Sequence, residues 1–333
     1  MMVSNNTASF SSGCAWISLV TVDMAVSYLY FLMFPIALLL NGVAAWVSLH
    51  LRSTSTFIVY LKNLVAADLL LTLTLPPMAA SMLPGASIGL RVFACRYSDV
   101  IFYCSLYTSI ALMGLISLDR FFKIVRPCGK LLGQNVIFSF VMSTLVWVVL
   151  FGGTAVPTII LTDQNPVNIT EDFCISLKRP AGVTLHTFVV LSMETLFWFV
   201  SIVTVFCYIC ITLKVLHSFR NSGSNNSHGK KKTKLRVFLI LLVFSVCFVP
   251  LHVVRVPVTM NEDIDVCIKL WVRIVHRLFL WVSATNTCLD PLLYICLCRE
   301  YREKLVDMMK ARGICVRLYS GKNTDDSKSK NNY

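Results

Sequence analysis

The chain has 333 residues, of which 56% are hydrophobic and only 14% are charged, a composition far outside the range of soluble globular proteins. Its net charge of +13 would suit a nucleic-acid partner, but the basic residues lie at the edges of long apolar stretches. The composition therefore predicts an all-α membrane protein, and we expect no nucleic-acid partner.

Seven stretches are apolar and long enough to cross a bilayer, whose hydrocarbon core takes about 20 helical residues. They cover residues 24–49, 57–82, 92–126, 136–160, 186–216, 236–260 and 270–298. The loops between them are short, so the sequence predicts one seven-transmembrane helix bundle over 24–298.

Three segments flank or follow the bundle. Residues 1–23 form an N-terminal segment without a signal-peptide pattern, because it has no basic start and polar residues interrupt any apolar core. Residues 299–312 carry apolar side chains at helical spacing, which predicts a short amphipathic helix lying on the membrane lipids of the inner leaflet. We expect the polar residues 313–333 to form a disordered cytoplasmic tail.

The basic residues predict the orientation of the bundle. Between alternate stretches and in the tail there are 20 Lys and Arg residues, against 4 on the other side. This bias places the N-terminus outside the cell and the C-terminus in the cytoplasm of a multi-pass plasma-membrane protein.

Cysteines and glycosylation motifs agree with that orientation. Four cysteines fall on the outer side (Cys14, Cys95, Cys174 and Cys267), and an even number in an oxidising compartment predicts two disulfides with three possible pairings. The outer motifs predict glycans on Asn5 and Asn168, whereas the motif at Asn225 lies on the inner side. Beyond the amphipathic segment, Cys315 is either an acylation site or a free cytosolic thiol.

Several ionisable groups lie inside the predicted membrane spans, where they are costly and point to function. Asp68 lies in the second span and Asp290 in the seventh, and Ser109 and Asn286 offer further oxygen ligands. These oxygens suit a monovalent cation, which we expect to be sodium. The alternative is one protonated carboxyl group in a water-filled hydrogen-bond network.

Short motifs occur in order, one on each expected helix. They are Asn41-Gly-Val, the segment from Asn63 to Asp68, Asp119-Arg120-Phe121, Trp147, Phe244-x-x-Cys247-Phe248-x-Pro250 and Asp290-Pro291-x-x-Tyr294. As a set, over about residues 24–312, they resemble the signatures of rhodopsin-like G-protein-coupled receptors. The departures are mild, with Phe121 for the usual Tyr, Phe248 for Trp and Asp290 for Asn.

The motif variants resemble a narrower group. Residues 57–63, Phe102-Tyr103, 247–257 and Asn286-x-Cys-Leu-Asp290 are similar to the purinergic nucleotide receptors, closest to the Gi-coupled branch that senses ADP and nucleotide sugars. One departure is His276-Arg277, where that branch usually carries a Lys-Glu pair. The extra positive charge leaves a lysophospholipid or a small organic acid open as the ligand.

The resemblance implies pairings and roles that spacing alone does not. It implies the disulfides Cys95–Cys174 and Cys14–Cys267, and partners that include a heterotrimeric G protein, a receptor kinase and arrestin. It also implies a G-protein switch, in which Arg120 pairs with Asp119 at rest and turns toward the cytosol on activation. The full predicted switch set is Asp119, Arg120, Tyr208, Phe248, Asp290, Pro291 and Tyr294.

Aromatic and basic residues near the outer ends of four spans predict a pocket for an anionic ligand with a planar ring. Guanidinium groups bind phosphate through two parallel hydrogen bonds, and aromatic faces stack on a base. The predicted ligand-binding residues are Tyr103, Tyr107, His186, His252, Arg255, His276 and Arg277. Each of them taken singly is also compatible with ordinary packing or, for Arg255, with an extended side chain that reaches the interface.

Other functions fit less well. A transporter or channel is the remote alternative, but we find no inverted repeat. An enzyme is not expected, because the chain has no His-Glu-x-x-His zinc motif, no phosphate-binding glycine loop and no catalytic Ser, His and Asp order.

Overall fold

A bundle of long helices forms the protein in the computed structural model, which describes residues 18–51, 55–125, 135–166, 173–221, 227–260 and 266–311. The helices are α1 (Leu19–Leu49), α2 (Thr56–Met82), α3 (Ile88–Ile124), α4 (Val136–Ile160), α5 (Pro180–Asn221), α6 (Ser227–Met260), α7 (Val266–Ala284 continued by Asn286–Leu297) and α8 (Arg299–Ala311). No strand occurs within these ranges, which confirms the predicted all-α class.

The apolar stretches were correctly located, but their ends were not. Within the described ranges, six helices are long and apolar enough to cross a membrane, and α6 has a shorter apolar section, Leu239–Arg255. The helix α5 begins at Pro180 and α1 at Leu19, whereas the sequence predicts starts at 186 and 24. The added residues include apolar ones such as Leu19, Val20, Val183 and Leu185, so hydropathy alone does not fix where these helices begin.

Side-chain caps begin several of these helices. Ser18, Ser55 and Ser87 each have extended backbone geometry and accept a hydrogen bond from the backbone N–H three residues later. Asn135 caps α4 in the same way, accepting from the N–H of Ile137 at 2.9 Å. These side chains satisfy N–H groups that have no partner inside the helix.

A proline in α7 explains why a buried asparagine is needed in α1. Pro291 has no N–H, so the carbonyl of Thr287 loses its partner in the helix. The Nδ2 of Asn41 lies 2.7 Å from that carbonyl oxygen and 3.0 Å from the Thr287 hydroxyl. Asn41 thereby joins α1 to α7 in the middle of the bundle.

The interior and the lipid-facing surface are both apolar. Tyr30, Phe102, Phe197 and Phe248 are fully buried in the core between the helices. Other large apolar side chains point outward, such as Leu39 and Ile202, whose exposed fractions are 68% and 69%. Such a surface suits contact with lipid tails.

The helix α8 packs on the end of the bundle. Tyr301 and Leu305 are buried in one cluster with Tyr294 and Cys298 of α7, and Met308 and Met309 pack against the same cluster. The apolar face predicted to lie on lipid is thus covered in part by the protein itself.

Candidate ligand-binding cavity and polar clusters

A cavity of about 300 Å³ opens near one end of the bundle, on the side of the Cys95–Cys174 disulfide. Five of the predicted ligand-binding residues line it: Tyr103, Tyr107, His186, Arg255 and His276. The disulfide forms part of the wall and joins α3 to the segment that precedes α5, with Cα atoms 5.3 Å apart. The predicted pairing of Cys95 with Cys174 is confirmed.

Arg255 of α6 contacts both α3 and α5 at this cavity. Its Nη1 donates to the hydroxyl of Tyr107 at 2.7 Å, and its guanidinium lies over the ring of Tyr103 at 4.8 Å from the centroid. Its Nε lies 3.8 Å from a carboxylate oxygen of Glu194 on α5. The guanidinium is therefore held in place by α3 and α5.

His252 lies beneath the cavity rather than in its wall. It is completely buried, its Nδ1 is 2.8 Å from the carbonyl of Phe248, and its ring stacks on Phe197 with centroids 3.6 Å apart. Because a carbonyl only accepts, Nδ1 carries the proton and Nε2 accepts from the Tyr107 hydroxyl at 3.0 Å. His252 therefore supports the Tyr107 hydroxyl that contacts Arg255.

Arg277 also lies outside the described lining of the cavity. Its Nε is 3.3 Å from a carboxylate oxygen of Asp23 on α1. The structure therefore brings together five of the seven predicted ligand residues and places the other two in supporting or neighbouring positions.

Three charged residues near the ligand site were missed by sequence reasoning. Asp99 and Lys178 line the cavity, and Glu194 stands behind Arg255. Burial lowers the pKa of Lys178, and the nearby Asp99 partly offsets this effect. Asp99 and Glu194 lie in membrane spans. The rule that ionisable groups there point to function, which singled out Asp68 and Asp290, would therefore have found them as well.

Asp99 also lies with Cys95 and Cys174, and ligand atoms of the three residues fall within 4.8 Å of one another. The two sulfurs are joined in a disulfide, so they cannot act as the thiolates that bind metals. We therefore assign no metal to this group.

A surface clasp joins the end of α4 to the start of α5 near the cavity. Arg179 and Asp163 form an ion pair with Nε 2.7 Å from Oδ1, and the backbone N–H of Arg179 donates to the carbonyl of Leu161 at 2.9 Å. Hydrogen bonding to Arg179 holds the pKa of Asp163 below its usual range. The clasp thus joins the chain after α4 to the residue before α5, and the disulfide separately joins Cys174 to α3.

The buried carboxylates form a second cluster in the middle of the bundle. Asp68 accepts from Ser109 at 3.1 Å and from the Tyr294 hydroxyl at 3.2 Å, while Asp290 accepts from Asn286 at 2.8 Å. All of these side chains are buried. The Oδ1 of Asn286 has no hydrogen-bond partner among the described residues. Carboxylate, hydroxyl and free amide oxygens in one place are a donor set that fits a hard cation.

The end of the bundle opposite the cavity has a different ion pair from the predicted one. Asp119 contacts Lys123 at 3.0 Å and accepts from the hydroxyl of Thr56, whereas Arg120 lies over the ring of Phe57 at 4.0 Å. The predicted resting pair of Asp119 with Arg120 is therefore wrong. Neighbouring residues on a helix point in different directions, whereas residues four apart share a face.

The other predicted switch residues are internal. Tyr208, Phe248 and Tyr294 are all buried, and Phe248 packs against Phe244 with ring centroids 5.3 Å apart. Tyr294 donates to Asp68, which links the switch set to the carboxylate cluster.

Several predictions fall wholly or partly outside the described residues. Cys267 is disulfide-bonded, but its predicted partner Cys14 lies outside the described ranges. The glycosylation positions Asn5 and Asn168 and the acylation position Cys315 also lie outside them. The pairing Cys14–Cys267 and these modifications stay predictions.

Comparison with known proteins places these features in a family. The profile of the 7 transmembrane receptor (rhodopsin family) matches residues 40–294. Purinoceptor 13 of Homo sapiens is 39% identical over 287 residues, which cover 85% of this chain and 81% of that protein. Purinoceptor 14 of Bos taurus is 37% identical over 286 residues, covering 84% of each chain. G-protein coupled receptor 87 of Mus musculus is 36% identical over 283 residues, covering 83% of this chain and 78% of that protein.

Proposed function

Because the chain belongs to the rhodopsin family of seven-transmembrane receptors, we propose that it binds an extracellular nucleotide or nucleotide sugar in the disulfide-side cavity and activates G proteins of the Gi class. As a G-protein-coupled receptor of the purinoceptor type, the chain is a multi-pass protein of the plasma membrane and is not an enzyme. We further propose that the disulfide side faces outward and that the C-terminus is cytoplasmic, as the bias of basic residues predicts.

The observation that carries the ligand proposal is the position of Arg255. Its guanidinium lines the cavity while Tyr107 and Tyr103 hold it, so it is preorganised for an anionic group. Tyr103, His186 and His276 line the cavity beside it and supply rings that a base can contact. A cavity of about 300 Å³ is within the range of small-molecule sites. Two of the three relatives named above are purinoceptors, which agrees with this class of ligand.

Asp99 favours one form of such a ligand. Its carboxylate lines the same cavity as Arg255 and accepts hydrogen bonds from hydroxyl groups, while Lys178 offsets part of its charge toward a phosphate. A nucleotide sugar offers both a phosphate for Arg255 and hydroxyls for Asp99. We therefore place a nucleotide sugar ahead of a nucleoside triphosphate.

We also propose that the central cluster binds a sodium ion. Asp68, Ser109, Asn286 and Asp290 would hold it, and the unpartnered Oδ1 of Asn286 is the atom that a cation would use. An ion there neutralises part of the negative charge of two buried carboxylates.

The test is a cell-based G-protein reporter exposed to a panel of nucleosides, nucleotides, nucleotide sugars, lysophospholipids and small organic acids. Each Gα class is supplied separately, and arrestin and receptor-kinase recruitment are recorded with the active compounds. Activation by a nucleotide or nucleotide sugar through Gi supports the proposal. Activation by a lysophospholipid or an organic acid alone would replace it with that ligand class.

A further inference from the structure

Glu194 is an acid buried in α5 beside the ligand cavity. The residue is 7% exposed, and neither carboxylate oxygen has a hydrogen-bond partner among the described residues. The Nε of Arg255 lies 3.8 Å from Oε1, so a charge contact joins them. A buried carboxylate without hydrogen bonds depends on such a charge partner, because burial alone disfavours its charged form.

The geometry places Arg255 between two anions when a ligand is bound. Arg255 lines the cavity, whereas Glu194 is absent from its described lining and contacts the guanidinium from α5. An anionic group that enters the cavity approaches the same guanidinium. It therefore meets a cation whose charge Glu194 already balances in part.

Given the proposed function, we infer that Glu194 is the internal counter-anion of Arg255 and a specificity-determining residue that weakens binding of multiply charged anions. The effect is an electrostatic repulsion between the Glu194 carboxylate and the ligand anion, which lie on either side of the Arg255 guanidinium. It therefore grows with the charge of the ligand, and an uncharged ligand does not feel it. Glu194 thus sets which anions the receptor accepts, rather than whether it accepts one.

The test is Glu194→Gln, which removes the charge and keeps the shape. The probes are a nucleoside, its 5′-monophosphate and its 5′-diphosphate, built on the base to which the wild-type receptor responds best. A unit charge about 8 Å away in an effective dielectric of about 20 changes binding by roughly an order of magnitude. We expect the variant to bind the monophosphate roughly tenfold more tightly and the diphosphate by a larger factor, with no change for the nucleoside.

Two further variants separate charge from structure. Glu194→Asp keeps the charge and should retain the wild-type order of affinities. Glu194→Leu removes the charge with a different shape, and it should show the same gain in affinity, which increases with the charge of the probe. Both charge-removed variants are measured, so that the test still holds if one of them is poorly expressed.

Weaker or unchanged binding of the diphosphate to well-expressed, charge-removed variants would overturn the inference, since Glu194 would then only position Arg255. The companion variant Arg255→Gln tests the proposed function separately. If it abolishes diphosphate binding while the Glu194 variants bind no more tightly, the inference alone fails. If it leaves binding unchanged, Arg255 is not the anchor, and both the anchor role and the inference fail.

Discussion

Replacement of Arg255 tests the ligand proposal most directly. In the structure the guanidinium has a hydrogen bond to Tyr107 at 2.7 Å and a ring contact with Tyr103, and it lines the cavity. A charge-assisted hydrogen bond to a ligand phosphate contributes about 1.5–3 kcal/mol, which corresponds to roughly 10- to 100-fold in affinity. Arg255→Ala should therefore reduce agonist potency by about that factor.

Arg255→Lys should recover only part of the loss. The ammonium keeps the charge but has no planar pair of donors, so it cannot bind phosphate through two parallel bonds while also reaching Tyr107. Arg277→Gln is the matched control, because Arg277 is a cation on the neighbouring helix that contacts Asp23 instead of the described cavity wall. It should change potency less than Arg255→Ala does.

The assay is a concentration–response curve in the G-protein reporter, recorded at matched surface expression for the wild type and each variant. If Arg255→Ala and Arg255→Lys both stay within about threefold of the wild type, the guanidinium is not a ligand anchor. The same conclusion follows if Arg277→Gln is as damaging as Arg255→Ala, since the effect would then be a general loss of positive charge.

Three other predictions concern the bundle. A Cβ on Gly114 would lie 2.8 Å from a Val200 methyl, so Gly114→Ala should destabilise the receptor through overpacking, by about 1–3 kcal/mol. The measurement is the melting temperature of the detergent-purified receptor, which should fall. Gly42→Ala is the control, because nothing lies within 4 Å of a Cβ at that position, and its melting temperature should stay close to that of the wild type. Asp68→Asn should remove any effect of sodium, relative to a large organic cation, on thermal stability and agonist affinity, and a retained sodium effect would place the ion elsewhere. Arg120→Ala should keep ligand binding and lose nucleotide exchange on the G protein, and normal exchange at wild-type expression would exclude Arg120 as the switch.

Apolar length and motif order were enough to predict the helices and the family. The family resemblance implied the Cys95–Cys174 bond, and five of the predicted ligand residues line the cavity, including Tyr103 and Tyr107, which are four residues apart and share one face of α3. Apolar length and motif order did not predict how deeply a single side chain is buried or which way it points. His252 and Arg255 are three residues apart on α6, yet one is completely buried and the other lines the cavity.

The misassigned partner of Asp119 has a local cause. Lys123 lies one turn later on the same face, and this spacing is visible in the sequence, whereas the side chain of Arg120 points in a different direction from that of Asp119. The contact of Arg277 with Asp23 is different, because it depends on how α1 and α7 approach each other. No spacing within one helix contains that information.

Helix α3 takes part in all three polar regions of the receptor. Tyr107 supports Arg255 at the cavity, Ser109 donates to Asp68 in the central cluster, and Asp119 is paired at the opposite end. At ~1.5 Å per residue, Tyr107 and Asp119 are about 18 Å apart along one continuous helix. Shifts of a helix against its neighbours are one way in which such an element couples distant sites. Gly114 packs closely on Val200 between these two ends, so a larger residue there would alter how α3 packs on α5.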